Sequence, residues 1–262
     1  MRVAAMLSRG DAFGPRCGPA GIEVARAPRL SLAGELHYVI QCGHNRQAVF
    51  ADDRDREAYL AMLREAALQY GVAIHAYALL ASEVHLLATP VAAESLSRLM
   101  QSLGRRYVAA INRRHGRSGT LWAGRFRAGL LDGAALGALA LVHIETLPVR
   151  AGLAAAAGEW AWSSASHHLG RRRDALVTEH PGYWDLGNTP FERELAHAHN
   201  LREGLPAGMD ERLTSTAMRG HAVGPPVFNA RIEAATGASR QAKRRGRPVR
   251  RSALRALKTV PS

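Results

Sequence analysis

The segment Ala76–Pro90, AYALLASEVHLLATP, constrains the fold more than any other part of the chain. Two apolar runs flank a short break at Ser82, a pattern that predicts two strands joined by a tight turn. Strand residues two apart project to the same face. Glu83 and His85 therefore stand side by side, with Val84, Leu86 and Ala88 on the opposite face. One reading is a half-exposed strand face. The other is a cation site, because a carboxylate and an imidazole so placed can share a divalent ion.

The surrounding pattern supplies the rest of a sheet. Leu36–Cys42 alternates and reads as a strand. Asp52 or Asp53 can cap a helix that runs to about Tyr70 and stops at Gly71. Its residues Tyr59, Leu63, Ala66, Ala67 and Tyr70 recur at three- and four-residue steps and make one buried stripe. Val72–Leu79 and Val84–Thr89 form the hairpin, Ser95–Arg114 a second helix, Arg127–Leu131 a fourth strand, and Ala134–Leu147 a third helix ending at Pro148. The order strand, helix, strand, strand, helix, strand is the ferredoxin-like α+β pattern. It puts Glu83 and His85 on a central strand and lets the third helix cross the helix-free face of the sheet. Beyond Gly170 the pattern weakens, with short helices expected over Phe191–Glu203, Met209–Met218 and Phe228–Ala235.

Charge points to a nucleic-acid partner. The chain carries 35 basic residues against 22 acidic ones, and Lys243 and Lys258 are its two lysines. Residues 239–262 hold nine of the basic residues and no acidic one, so the excess is concentrated in a tail. Within it KRRGRPVRR, Lys243–Arg251, resembles an AT-hook, with Lys243, Arg244, Arg245 and Arg247 around Gly246 and Pro248. Such a segment can enter a narrow A/T minor groove; a solvated basic tail is the plainer reading. The most apolar run, Ala134–Val142, is too short to span a bilayer. Two cysteines, Cys17 and Cys42, without a CxxC pair argue against a disulfide framework or a zinc module and fit a reducing cytoplasm. Residues 1–23 show no periodicity and read as a disordered extension or a mis-assigned start before Val24.

From Val24 to about Gly170 the chain resembles the REP-associated tyrosine transposases, relatives of the HUH single-strand transposases. The resemblance rests on ARAPRL at Ala25–Leu30, HYVIQCGHNRQAVF at His37–Phe50, AYALLASEVHLLATP, the long block Ser95–Leu130, HIETLPVRAGL at His143–Leu153 and WAWSSASHHLG at Trp160–Gly170. It implies a transposase-like core over 24–170, a helical C-terminal region over 171–238 and the basic tail over 239–262. It also implies recognition of single-stranded hairpin DNA, and metal-dependent nicking and rejoining through a covalent tyrosine intermediate, with magnesium or manganese as cofactor. Members often pair as dimers; this sequence leaves monomer and homodimer both open.

The chain departs from that family where the chemistry sits. The family's His–hydrophobic–His signature is here Glu83–Val84–His85. The family's nucleophilic Tyr aligns with His143, and a metal-supporting Asn four residues on aligns with Leu147. Positions i and i+4 share a helix face, and leucine cannot ligate a metal. Glu83 and His85 remain as a weak metal pair, and His143 as a doubtful catalytic residue. Either impaired nicking or a binding protein that lost the chemistry follows. Expected DNA contacts are Arg46 in the loop CGHNRQ, and Arg105, Arg106, Arg113, Arg114, Arg117, Arg125 and Arg127 on and after the second helix. Trp122 and Phe126 read as core rather than as base-stacking platforms.

Overall fold

The computed structural model describes residues 30–237. Its sheet is built from β1 (Leu36–Cys42), β2 (Val72–Leu79), β3 (Glu83–Pro90), β4 (Arg127–Leu131) and β5 (Ala222–Val223), in the order β2-β3-β1-β4-β5. The first four strands are antiparallel to their neighbours, as the ferredoxin-like pattern requires, and β5 adds to β4 in parallel. The fold is α+β.

One face of the sheet carries α1 (Asp53–Tyr70) and α2 (Ser95–Arg114). Local chemistry sets both ends of α1: the Asp52 side chain accepts from the Asp55 N–H, and Gly71 turns the chain out at φ +62°. Val84, Leu86 and Ala88 pack on this side with Tyr59, Leu63, Leu99, Tyr107, Trp122 and Phe126. Trp122 and Phe126 are therefore core residues, as their sequence context suggests.

The other face carries α3 (Gly133–Glu145) and α8 (Met209–Arg219). Their buried residues Leu136, Leu141, Ile144, Leu213 and Ala217 meet Tyr38, Ile40, Ala76 and Leu87 of the sheet. The helix breaks at Thr146, and Pro148 opens a new short helix, α4 (Leu147–Arg150), at a position where a missing N–H costs nothing.

The segment after Gly170 contributes more than a helical appendage. The helices α6 (Pro181–Trp184) and α7 (Pro190–Glu203) pack against α3, α7 also meets α5 (Ala165–His168) from just before Gly170, and α9 (Pro226–Thr236) follows β5. With β5 and α8 this stretch completes the sheet and covers its second face. Cys42 is partly buried at the end of β1, and Cys17 lies outside the described residues. The AT-hook-like residues Lys243, Arg244, Arg245 and Arg247 also lie outside them. No helix among the described residues is long and apolar enough to cross a membrane.

Candidate functional site

The strand phase places Glu83 and His85 on the α3/α8 face, away from Val84 and Leu86. His143 reaches the same place from α3. What joins them is Tyr38 of β1. Its hydroxyl lies 2.8 Å from His85 Nδ1 and 3.1 Å from His143 Nε2. His85 Nε2 in turn lies 3.2 Å from Glu83 Oε2. At the far end the Arg150 guanidinium lies 3.1 Å from His143 Nδ1 and donates to the His143 carbonyl at 2.6 Å. Arg150 also pairs with Asp210 of α8 at 3.3 Å.

One residue fixes every donor and acceptor in this chain. Arginine has no acceptor, so His143 Nδ1 must accept from Arg150. Burial holds the His143 pKa well below its ordinary value, with the Arg150 and His85 charges acting the same way, so the ring is neutral and its proton sits on Nε2. Nε2–H then donates to Tyr38 Oη, with Thr214 Oγ1 a longer neighbour at 3.4 Å. The Tyr38 hydroxyl donates to His85 Nδ1, and His85 Nε2–H donates to Glu83. The result is a one-way hydrogen-bond chain, Arg150 to His143 to Tyr38 to His85 to Glu83. Burial also pushes the Tyr38 phenol well above its usual range, so it stays protonated.

Tyr38 was the member hardest to see in the sequence. It sits diagonally across the β1–β3 ladder from His85, whose direct partner on β1 is Ile40. Strand alternation placed it on this face, but only the register shows that it reaches the imidazole. Two other tyrosines lie on the opposite face: Tyr107 donates to the Val49 carbonyl and Tyr77 to Asp174, and both are buried. Leu147, at the family's Asn position, is buried among apolar side chains.

Glu83 and His85 bring two donor residues to this point. Both ring nitrogens of His85 are engaged in hydrogen bonds, one carboxylate oxygen of Glu83 is turned to His85, and Leu147 offers no donor. A second set of donors, Glu145, His168 and His197, converges elsewhere.

The predicted DNA contacts divide. Arg46, Arg105, Arg113, Arg117, Arg125 and Arg127 are exposed. Arg106 pairs with Glu65, and Arg114 with Asp52 and the buried Asp55, so both guanidinium groups are held against α1. The loop with Arg46 turns through two left-handed residues, Asn45 and Arg46. It packs so tightly that a Cβ on Gly43 would come within 2.3 Å of the Gln47 carbonyl. Backbone bonds tie that loop to the next one: His44 N–H donates to Leu121 O, and Gly43 bridges Trp122. The loops that carry Arg46 and Arg125 therefore meet at the end of the sheet where Cys42 pairs with Glu83, and Arg117 donates to Gln47 Oε1 at 3.5 Å.

Residues 33–140 match the family model described as Transposase IS200 like. The match spans the four antiparallel strands and both helices on their first face. Among solved structures, it is similar at 14% identity to a REP-associated tyrosine transposase bound to a REP hairpin, over 59% of this chain and 91% of that one, with a TM-score of 0.49. It is also similar at 22% identity to a putative transposase from Deinococcus radiodurans R1, over 41% of this chain and 84% of that one, with a TM-score of 0.31. No curated protein matches the sequence.

Proposed function

We propose that this transposase-family chain binds DNA, preferring single strands that fold into hairpins, and that it has lost most or all of the family's nicking chemistry. The observation that carries the reading is the buried chain from Arg150 to Glu83. Where the resembled family needs a phenol and a free metal position, this chain has a neutral imidazole with its lone pair turned to Arg150 and a His85 whose two nitrogens are both engaged. A nucleophile needs an accessible oxygen and a Lewis acid on the phosphate. The scaffold around the site is intact, which supports retained recognition by the exposed arginines Arg46, Arg105, Arg113, Arg117, Arg125 and Arg127 and by the tail.

The test is equilibrium binding of the full chain to a labelled hairpin single strand and to a matched duplex across a salt series. The hairpin binds more tightly, and affinity falls steeply with salt because phosphate contacts release counterions. Removing residues 239–262 weakens binding and flattens the salt dependence. Equal affinity for duplex and hairpin overturns the preference, and an unchanged slope after truncation removes the tail from the interface.

A further inference from the structure

We propose that Glu145, His168 and His197 form a closed binding site for one divalent transition-metal ion of the zinc type, separate from the Glu83–His85 pair. Among the described residues these three side chains are the group of His, Cys, Asp and Glu whose ligand atoms converge, all lying within 4.8 Å of one another. They come from α3, α5 and α7, far apart in sequence. Each is 0% exposed.

The geometry is that of a carboxylate placed between two imidazoles. Glu145 Oε1 lies 2.6 Å from His168 Nδ1, and Oε2 lies 2.7 Å from His197 Nε2. Ser164 Oγ donates to Oε1 at 2.5 Å. Two imidazole nitrogens and a carboxylate match the donor preferences of zinc and its neighbours. Hard ions such as magnesium prefer an all-oxygen, partly hydrated shell that this dry cluster does not offer.

Charge supplies the second argument. A fully buried carboxylate is costly unless a positive charge faces it. The two rings as neutral donors give hydrogen bonds but no charge. The missing charge is either one extra proton on a ring or a metal ion at the inner atoms. The outer nitrogens, His168 Nε2 and His197 Nδ1, lack a hydrogen-bond partner; an ion at the inner atoms leaves a proton on both, and an extra ring proton leaves one on a single ring, so an unpaired N–H is present in either case. The convergence of three ligand-type side chains from three separate helices within 4.8 Å of one another favours the ion. Tetrahedral ligands with bonds near 2.1 Å stand about 3.4 Å apart, so binding lengthens the two Glu145–His contacts from 2.6 and 2.7 Å by roughly 0.7–0.8 Å.

The test uses the full chain stripped with a chelator and titrated with Zn²⁺ and Co²⁺ against a chromophoric competitor. One equivalent binds, and Co²⁺ gives visible ligand-field absorption. His168→Asn and His197→Asn each weaken binding by more than about 100-fold, beyond the cost of losing an outer-shell partner. The double variant Glu83→Ala/His85→Ala, which leaves the cluster untouched, binds as the wild type does. This arm decides the location even where a cluster variant fails to fold. Absence of stoichiometric uptake by the wild type overturns the proposal, in favour of a proton in the cluster. So does retention of the cobalt bands in both histidine variants, or their loss in the double variant. None of these outcomes depends on whether the protein binds or nicks DNA.

Discussion

At the scale of single residues, the structure turns on Tyr38. Its hydroxyl serves His143 as acceptor and His85 as donor, so removing it orphans two buried ring nitrogens at once. Tyr38→Phe is expected to cost about 2–4 kcal/mol, the sum of two unsatisfied buried groups, measured by urea unfolding. A change below about 0.5 kcal/mol would mean that the chain of hydrogen bonds is not formed. Histidine burial gives a pH dependence as well. Burial holds both His37 and His75 down to about 4, partly offset by backbone hydrogen bonds to Glu35 and Thr178. A base whose folded pKa is depressed stabilises the fold fully above its unfolded value near 6.5, and that stability drains away as pH falls towards 4. The melting temperature should therefore drop between pH 6.5 and 4, and His75→Gln should shallow the drop. A profile unchanged in that variant would contradict the assignment. The sequence made Glu83 and His85 legible as a same-face pair because strand alternation is strict. It did not reveal Glu145, His168 and His197, since no local spacing links positions brought together by three separate helices.

Among elements, those with strong local signals were legible nearly to the residue. The Asp52 cap, the apolar stripe and Gly71 define α1 without help from the rest of the chain. The three C-terminal helices α7, α8 and α9 are also where their periodicity and prolines put them. The strand β5 was not legible: two residues carry no alternation, and its pairing with β4 comes from how α8 delivers the chain. The docking of α8 leaves a mark at Gly129, where an added Cβ would come within 2.5 Å of the Thr216 carbonyl. That contact is backbone, so it cannot rotate away. Gly129→Val should push α8 off β4, destabilise the protein by more than about 1 kcal/mol, and open α8 to limited proteolysis. Wild-type stability with an uncut α8 would show that the helix does not seat as closely as described.

For the whole molecule, the central point of the proposed function is that an α+β sheet with exposed basic loops carries, at the positions the resemblance assigns to the reaction, one buried hydrogen-bond chain. The resemblance in the sequence singled out Glu83, His143 and Leu147; only the structure joins Glu83 and His143 through Tyr38 and His85 and anchors them at Arg150. The most direct measurement is formation of nicks and covalent protein–DNA adducts on a labelled hairpin single strand with Mn²⁺ or Mg²⁺. The wild type is expected to give little or none, and His143→Tyr alone is expected not to suffice. The triple variant Glu83→His, His143→Tyr, Leu147→Asn is expected to gain measurable nicking, with effects far from additive because nucleophile and Lewis acid act as a unit. Robust adduct formation by the wild type that survives His143→Ala would contradict the account, and its loss in Tyr38→Phe would then assign the nucleophile to Tyr38.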